Sequence, residues 1–445
     1  MGTIRGEENA WIRKEGMAGL LLFSFAAVLC LAVLGGEALA EPFRFRWEGR
    51  ISVAEQYDNN VFLSPDAEEH DWITFLTPGV TLSLIKEETD ASLSYDFSLM
   101  HYARNDELSR VRHYLTLTGF EGIHVSERVA LDLDAVLRIS DDVFEIAPPG
   151  EDVTDIRDTR TRYYRTELGG RINYLFGPED SVYVGFTHSM LLGEGPGSDD
   201  RHAYVPSAGL DYRFNLLYAI YVDYSFRKAQ YDLTEDFDEQ LGTASLTRRF
   251  NRRTEGNLTY TYNDLDYDGP SVGYAVHGAT VGMSREFSGA TAGSLSGGYF
   301  IYVPEEGDSR GEPMGTIAFT HVSPRSTLLL DGAAGYRRQF FQTANLGISL
   351  FTRASVSFSY QLAQRLSVYL EGVYFRDEYL ETTPESTSDN WRGTTALRYL
   401  LGRWLFGSIA YVYRQRESDI EAGSYVNHVV TLSITAVYTD RPRPL

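Results

Sequence analysis

Strict alternation of apolar and polar side chains is the feature that most constrains this chain. In residues 127–140 (ERVALDLDAVLRIS) an apolar set of side chains alternates with a more polar set. The apolar set is Val129, Leu131, Leu133, Ala135, Leu137 and Ile139, and the second set is Ala130, Asp132, Asp134, Val136, Arg138 and Ser140. The same period of two recurs in segment after segment from about residue 45 to residue 438. A period of two predicts β-strands with one wet face and one apolar face.

The apolar faces need a cover, which is either a second sheet or lipid. In an outer membrane lipid covers them and the polar faces line a lumen. A soluble sandwich of this length is the alternative, but it would divide into domains, and the sequence gives no sign of a boundary. We therefore predict an all-β fold, namely a single transmembrane antiparallel up-and-down β-barrel in the bacterial outer membrane.

The N-terminal segment predicts export. Arg13 and Lys14 precede the uncharged, mostly apolar run 20–34, and Ala38-Leu39-Ala40 has the small-x-small pattern of a signal peptidase site. We predict a signal peptide over residues 1–40, cleaved after Ala40, and a barrel over residues 41–445. A helical anchor over residues 17–36 is the alternative, since that stretch is nearly long enough to span a bilayer.

Composition excludes one class of partner and supports a membrane fold. The formal charge is -22, and it becomes -21 without residues 1–40, so nucleic acid is not expected as a partner. The 30 Tyr and 24 Phe suit aromatic girdles at two membrane interfaces. The only cysteine lies in the predicted signal peptide, and no pattern calls for a cofactor or a metal.

Connections between the strands alternate between short and long, as in bacterial barrels with short periplasmic turns and longer extracellular loops. Short turns are predicted at 86–89, 125–128, 177–180, 215–217, 251–254, 288–290, 323–326, 363–365 and 402–403. Longer connections are predicted near 58–71, 103–110, 141–158, 193–201, 232–236, 264–271, 304–312, 338–342, 379–390 and 416–424. These connections give about 20 strands, with 18 as the alternative, and no plug domain.

Charged residues on the wet faces are candidates for the pore lining, because an arginine on the lipid face at mid-bilayer would cost roughly 2 to 4 kcal/mol. The predicted pore-lining residues are Asp132, Asp134, Arg138, Arg165, Glu167, Arg171, Asp331 and Arg398.

The longest connections include residues 141–158 (DDVFEIAPPGEDVTDIRD), which we consider as a constriction loop. Its acids would face Arg165 and Arg171 across the lumen and favour cations or polyhydroxylated solutes. The candidate constriction residues are Asp141, Asp142, Glu145, Glu151, Asp152 and Asp155. An exposed surface loop is the alternative.

The first predicted hairpin carries a motif, which consists of Tyr57, Asp58, Asn59 and Asn60, followed by Asp71 and by Pro78-Gly79. It resembles the opening motif of the β-barrel porin 2 family, outer-membrane proteins associated with exopolysaccharide and PEP-CTERM loci. The resemblance covers about 25 residues and implies a barrel of porin type. From the residues themselves, Asp58 to Asn60 suit a turn, and Pro78-Gly79 suits a bend within a strand. A calcium site formed by Asp58, Asp66, Glu68, Glu69 and Asp71 is the alternative to turn chemistry.

Two His and Ser pairs make catalysis the alternative to transport. His188-Ser189 and His321 with Ser323 resemble the residue types of outer-membrane hydrolases, but neither pair carries the flanking motif such an enzyme needs. We predict no enzyme and expect a porin-like channel for passive or selective diffusion of small or polyhydroxylated solutes. Two alternatives are a component of exopolysaccharide export or docking, and a structural barrel without a pore. The expected partners are outer-membrane lipid, lipopolysaccharide, the barrel-assembly machinery, and polysaccharide or its export machinery.

Overall fold

The computed structural model describes residues 44–66, 68–86, 89–140, 144–145, 155–156, 163–193, 200–341, 344–380, 386–419 and 424–439. The chain divides into two compact units, Met1–Arg44 with Ile85–Glu87, and Phe45–Leu84 with Glu88–Leu445. The second unit holds the barrel. The predicted signal peptide, residues 1–40, lies outside the described residues.

Twenty long strands form the wall, and two strands of two residues each, β6 and β7, lie in the connection between β5 and β8. The wall strands are β1 (Arg44–Asp58), β2 (Asp71–Lys86), β3 (Thr89–Tyr102), β4 (Arg110–Ser126), β5 (Val129–Ser140), β8 (Tyr163–Leu175), β9 (Ser181–Gly193), β10 (Arg201–Arg213), β11 (Tyr218–Tyr231), β12 (Phe237–Asn251), β13 (Thr254–Tyr267), β14 (Tyr274–Ser288), β15 (Thr291–Pro304), β16 (Arg310–Val322), β17 (Ser326–Phe341), β18 (Ala344–Ala363), β19 (Leu366–Tyr379), β20 (Ser386–Leu400), β21 (Leu405–Ser418) and β22 (Tyr425–Thr439). The short strands are β6 (Phe144–Glu145) and β7 (Asp155–Ile156), and a 3-10 helix covers Asp106–Leu108.

Each wall strand pairs with the next one along the chain, and β5 pairs directly with β8. The wall closes because β22 pairs antiparallel with β1, from Glu48 opposite Thr439 to Asp58 opposite Val429. Closure gives every wall strand a paired neighbour on both sides, which is the condition for a sheet in lipid. The prediction of about 20 antiparallel strands is confirmed, and the alternative of 18 is wrong.

Connections alternate between short and long near most of the predicted places, but several strands extend into the predicted loops. Strand β17 continues to Phe341 and β18 begins at Ala344, so the long connection predicted at 338–342 is wrong. Strand β20 begins at Ser386, inside the connection predicted at 379–390. Strand β13 continues to Tyr267, so its loop is 268–273 rather than 264–271. Asp264 and Asp266 pair with β12 although both belong to the outer face. Polar residues on both faces look like a loop in sequence, but they suit a strand that extends beyond the lipid.

Among the described residues, no helix is both long enough and apolar enough to cross a membrane.

The outer surface of the wall is apolar over a continuous band. Large exposed hydrophobic side chains lie at every second position of a strand and on the same face of neighbouring strands. They include Ile51, Val53, Val184, Phe186, Val281, Met283, Leu295, Ile317, Leu432 and Ile434. Aromatic residues flank this band near the short turns, including Trp47, Phe176, Tyr212, Phe214, Phe250, Phe287, Trp404 and Tyr438. So much exposed apolar surface is stable only against lipid. The protein is therefore a bacterial outer-membrane β-barrel.

Candidate functional site

The residues that alternate with the exposed apolar set form the inner face of the wall, and the eight predicted pore residues lie on this face. Asp132, Asp134 and Arg138 alternate along β5, and their cross-strand partners on β8 are Arg171, Gly169 and Arg165. Asp331 of β17 and Arg398 of β20 share this parity, opposite to the exposed apolar set.

On the β5–β8 side, charged and polar groups are held by neighbours. The Asn173 amide donates to Asp132 at 2.6 Å, and the Arg171 guanidinium lies 4.3 Å from the centre of the Tyr183 ring. A Cβ at Gly169 would come within 2.7 Å of Cγ of Asp134, so glycine at this point gives the carboxylate room to lie on the wall. These contacts fix the orientation of the charges.

Across the barrel the inner face is again charged, and it is wet. Nε of Arg353 lies 3.8 Å from the Asp331 carboxylate, yet the two side chains are 52% and 49% exposed. Inward-facing groups with half of their surface exposed require water in the lumen. The guanidinium of Arg398 lies 3.6 Å from the centre of the Phe406 ring, and this contact holds the positive charge of Arg398 near the periplasmic end of the lumen.

An ion pair that the sequence does not reveal lies nearer the extracellular mouth. Arg337 of β17 donates two hydrogen bonds to Asp377 of β19, at 3.0 and 2.7 Å, and lies 3.9 Å from the centre of the Phe375 ring. Alternation along β17 and β19 could have placed both charges on the wet face. Only the register shows that they meet, because β18 stands between them.

The upper part of β17 leaves the wall. Its pairing with β16 ends where Ala334 lies opposite Gly315, although β17 runs on to Phe341. Beyond that point Tyr336 stacks against Phe300 with ring centres 4.9 Å apart. Phe300 and Val276 have inward parity but are fully buried, so this part of the inner face is covered rather than open to water.

Apolar packing beneath the mouth extends over several strands. The buried cluster is Ala203, Ala229, Phe237, Leu265, Tyr267, Tyr274, Val276, Phe300 and Ile348, with Tyr231, Tyr302, Met314, Tyr336, Leu350 and Leu380 against it. The β17–β18 hairpin contributes Tyr336, Ile348 and Leu350 to this cluster. The hairpin therefore narrows the lumen from one side.

The connection between β5 and β8 reaches this same hairpin. Strand β7 pairs antiparallel with β6 and in parallel with the end of β17, where Asp155 lies opposite Phe340. Strand β17 stands half-way around the wall from β5. Of the candidate constriction residues, Glu145 and Asp155 are opposite each other in this pairing, whereas Asp141, Asp142, Glu151 and Asp152 lie outside the described residues.

The motif of the first hairpin forms the seam where the barrel closes. The Asn427 amide donates to the Asp58 carboxylate at 2.6 Å, and the Asn60 amide donates to the backbone oxygen of Val426 at 3.1 Å. The backbone amide of His428 donates to the Asn59 side chain. Three consecutive motif residues thus tie the first extracellular loop to the last strand.

Asp71 closes the same loop from its other end. It is fully buried, and its carboxylate accepts hydrogen bonds from the backbone amides of Trp72, Arg104 and Asn105. Tyr57 packs against Trp72 with ring centres 5.2 Å apart. These partners are turn and loop amides, in keeping with turn chemistry at Asp58 and Asp71. The described residues contain no group of three or more His, Cys, Asp or Glu able to hold a metal ion.

Gly79 makes room for an ion pair. Strand β2 runs unbroken from Asp71 to Lys86 through Pro78 and Gly79, so the predicted bend would lie within a continuous strand. Arg50 of β1 and Asp96 of β3 pair across it on the inner face. A Cβ at Gly79 would come within 2.8 Å of Nε of Arg50 and closer still to the Asp96 carboxylate. Space for this ion pair is a reason for glycine that the sequence did not reveal.

The His–Ser pairs considered in the sequence do not come together as reacting groups. His188 lies on the outer face with its ring centre 4.9 Å from that of Tyr204, and Ser189 has the opposite parity. Nδ1 of His321 is 2.8 Å from the Thr291 hydroxyl. The Ser323 hydroxyl is 2.7 Å from that of Ser326.

Outside the strands, the rim carries one titratable group with a perturbed pKa. The Thr387 hydroxyl and backbone amide donate to the carboxylate of Asp419 at 2.8 and 3.0 Å. These hydrogen bonds, the hydroxyl's first, lower the pKa of Asp419 because they favour the ionised form.

Comparison with known proteins gives no family. No family model matches the sequence, and no curated protein matches it. Among solved structures, Pseudomonas aeruginosa OpdO is 10% identical with a TM-score of 0.42, covering 89% of this chain and 98% of its own. Pseudomonas aeruginosa OccK2 (OpdF) in complex with glucuronate is 10% identical with a TM-score of 0.41, covering 90% and 100%. Acinetobacter baumannii OccAB4 is 8% identical with a TM-score of 0.37, covering 90% and 99%. Similarity at this level adds nothing to the strand pairing, on which the architecture rests.

Proposed function

We propose that this protein is a porin-like channel through which small or polyhydroxylated solutes cross the outer membrane by diffusion. The observation that carries the proposal is the half-exposed pair Asp331 and Arg353 on the inner face of a closed wall of 20 strands. Walls of 16 to 18 strands already leave an aqueous channel in porins. A wider wall with wet, charged groups inside it therefore supports passage of solutes.

Selectivity in this proposal comes from arginines on two sides of the lumen. Arg171 and Arg398 are exposed on the inner face, and each is backed by an aromatic ring that holds its guanidinium. A guanidinium offers paired donors to carboxylates and hydroxyls, so it suits sugars and sugar acids. The carboxylates Asp134 and Asp331 supply acceptors for sugar hydroxyls on the same two walls.

The loop 141–158 is the proposed constriction. The pairing of β7 with the end of β17 supports this role over that of an exposed loop, because β17 is half-way around the wall. The buried cluster beneath the β17–β18 hairpin provides the opposing surface. We assign the acids of this loop, with Glu145 and Asp155 among them, to the narrow part of the path.

Swelling of liposomes that contain the purified barrel tests passage and preference together. We expect swelling with a hexose and with a hexuronate of similar size, and a slower rate with a trisaccharide. The double variant Arg171→Gln/Arg398→Gln should lower the hexuronate rate relative to that of the hexose. Lys228→Gln serves as the control, since Lys228 is outside the lumen and pairs with Asp238. No swelling with any of the three solutes would contradict the proposal.

The resemblance to the β-barrel porin 2 family supports a second candidate, a role in exopolysaccharide export or docking. The observation in its favour is that the motif Asp58, Asn59 and Asn60, with Asp71, forms one structure at the extracellular mouth. Deletion of the gene should then remove surface polysaccharide while leaving uptake of small solutes unchanged. In either role, we propose that residues 1–40 direct the export of this protein from the cytoplasm. We also propose that β22 guides its insertion by the barrel-assembly machinery.

A further inference from the structure

Three hairpins of the wall carry the same arrangement of aromatic side chains on the outer face. In each, a tyrosine is the seventh residue of the rising strand and a histidine is the fourth residue of the descending strand. The pairs are Tyr95 with His113, Tyr260 with His277, and Tyr411 with His428. We call His113, His277 and His428 the histidine belt.

Each belt histidine is held in the same way. The tyrosine hydroxyl lies 2.8 Å from Nδ1 of the imidazole in all three pairs. A second ring packs against the imidazole from directly across the ladder, with centres 5.2 to 5.3 Å apart: Phe97, Tyr262 and Tyr413. The imidazole is fixed in position and in orientation, which is unusual for a residue on a lipid-facing surface.

This geometry leaves Nε2 as the free end of each ring. Among the described residues, Nε2 of the belt histidines has no hydrogen-bond partner. In the tautomer whose Nδ1 accepts a hydrogen bond from the tyrosine hydroxyl, a neutral imidazole carries its proton on Nε2, and a protonated imidazole carries one there as well. In that tautomer Nε2 is a hydrogen-bond donor.

At the belt hairpins β13–β14 and β21–β22 the outer surface changes from apolar to charged or polar at this height, whereas at β3–β4 the next outward residue above Phe97 is Leu99. Below His277 on β14 the outward residues are Ala279, Val281 and Met283. The outward residue above Tyr262 on the paired strand is Asp264. On β21 the outward series continues above Tyr413 into Gln415 and Glu417. A boundary of this kind marks the headgroup level of the outer leaflet.

Carboxylates and cations above the belt are already engaged with protein groups. Asp264 accepts from the Gln240 amide at 3.3 Å, and Glu417 accepts from the Gln415 amide at 2.7 Å. The outward cation Lys228 is paired with Asp238 at 3.0 Å, and the outward cation Arg376 lies 3.7 Å from the Asp389 carboxylate. Among the described residues, Nε2 of each belt imidazole is by contrast engaged by no protein group.

The arrangement recurs at separate places around the wall. The belt hairpins β3–β4, β13–β14 and β21–β22 are the second, sixth and tenth of the ten hairpins that turn at the extracellular end. On β9–β10, between the first two, His188, His202 and Tyr204 form a different stack on the outer face. Repetition at one height argues for a ligand that surrounds the barrel rather than for a single local contact.

We propose that the histidine belt binds phosphate groups of the lipid that forms the outer leaflet, through Nε2–H donation to phosphate oxygen. Phosphate is the strong acceptor at headgroup level, and a hydrogen bond to a charged acceptor is about twice as strong as one between neutral groups. The belt holds the barrel at a fixed depth and orders the lipid around it. This site is on the outside of the wall, and its role does not depend on passage of solutes through the lumen.

Native mass spectrometry of the detergent-solubilised barrel tests the proposal with two probe lipids, bisphosphorylated lipid A and lipid A without phosphates. We expect the phosphorylated form to bind about tenfold more tightly or better, as for a hydrogen bond to a charged group. In the variant His113→Phe/His277→Phe/His428→Phe, that preference should disappear. Phenylalanine keeps the ring packing with Phe97, Tyr262 and Tyr413 and removes both ring nitrogens, the outward donor Nε2 and the Nδ1 partner of the tyrosine hydroxyl.

The matched control is His321→Phe. His321 is also on the outer face and also has Nδ1 2.8 Å from a hydroxyl, that of Thr291, but it lies beside a short turn at the periplasmic end. This variant should keep the full preference. If the triple variant fails to fold, Tyr95→Phe/Tyr260→Phe/Tyr411→Phe replaces it and should weaken the preference severalfold by releasing the rings. Equal binding of both lipids by the wild type, or an unchanged preference in whichever variant folds, would overturn the proposal.

Discussion

The Asn427 amide donates a hydrogen bond of 2.6 Å to the Asp58 carboxylate and so joins residues 369 positions apart at the seam of the barrel. Both side chains are buried, and Asn427 has no exposed surface. The same amide also donates to the backbone oxygen of Asn60 at 3.2 Å. One side chain of the last strand thus holds two residues of the first loop.

We predict that Asn427→Ala destabilises the barrel by about 1 to 3 kcal/mol, because Asp58 loses a buried donor. The measurement is the temperature at which the folded barrel unfolds, seen as the change from the folded to the unfolded band on a gel. Thr431→Ala is the control, since its hydroxyl meets Gln56 across the same seam at 3.4 Å without full burial. Equal shifts in the two variants would show that the seam does not depend on this contact.

Gly79→Ala should lower the same transition temperature, because the added methyl group collides with the pair Arg50 and Asp96. Asp96→Ala in the Gly79→Ala background should recover part of the loss by removing the obstructing carboxylate. Gly393→Ala is the control, because the nearest atom to its Cβ is 4.0 Å away. A Gly79→Ala barrel as stable as wild type would refute the steric explanation.

These two sites show how far sequence reasoning reaches. Alternation and turn residues predicted the barrel and the positions of its connections, because strand period and turn chemistry are local properties. The inward parity of Asp96 followed from its strand in the same way. That Asp96 meets Arg50 over Gly79 did not, since this contact depends on the register of three strands. Local patterns also do not predict that β17 leaves the wall beyond Ala334. Tyr336 fits the alternation of its own strand, and its contact with Phe300 arises only from the tertiary structure.

The contact between β7 and β17 can be tested with cysteines, since the sequence has one cysteine and it lies in the predicted signal peptide. Asp155→Cys/Phe340→Cys should form a disulfide under mild oxidation, visible as a mobility change that a reductant reverses. Glu145→Cys/Asp155→Cys should also cross-link, because these residues are opposite each other in the β6–β7 pair. Cross-linking of the second pair alone would mean that the loop does not rest against β17.

Tyr336→Ala should enlarge the channel at its mouth. The ring of Tyr336 packs on Phe300 where the β17–β18 hairpin covers the inner face, and truncation opens space there. We expect a higher single-channel conductance with little change in stability, because Tyr336 is only partly buried. Tyr369→Ala is the comparison, since Tyr369 faces the lumen on β19 outside this cluster. An unchanged conductance in Tyr336→Ala would place the narrowest point elsewhere.

Charge reversal in the lumen should change ion selectivity. Arg171→Glu/Arg353→Glu replaces two exposed inward cations by anions, and the reversal potential in a salt gradient should move toward cation selectivity. Arg248→Glu is the control, because Arg248 lies outside among the rings of Tyr218 and Phe250. Equal shifts in both variants would point to a surface effect.

Single-channel recording in a planar lipid bilayer tests the central claim most directly. The account predicts stepwise, ohmic conductance from the purified wild-type barrel, with a unit size that changes in Tyr336→Ala and a selectivity that changes in Arg171→Glu/Arg353→Glu. Correctly folded, inserted barrels that pass no current at any voltage would contradict it.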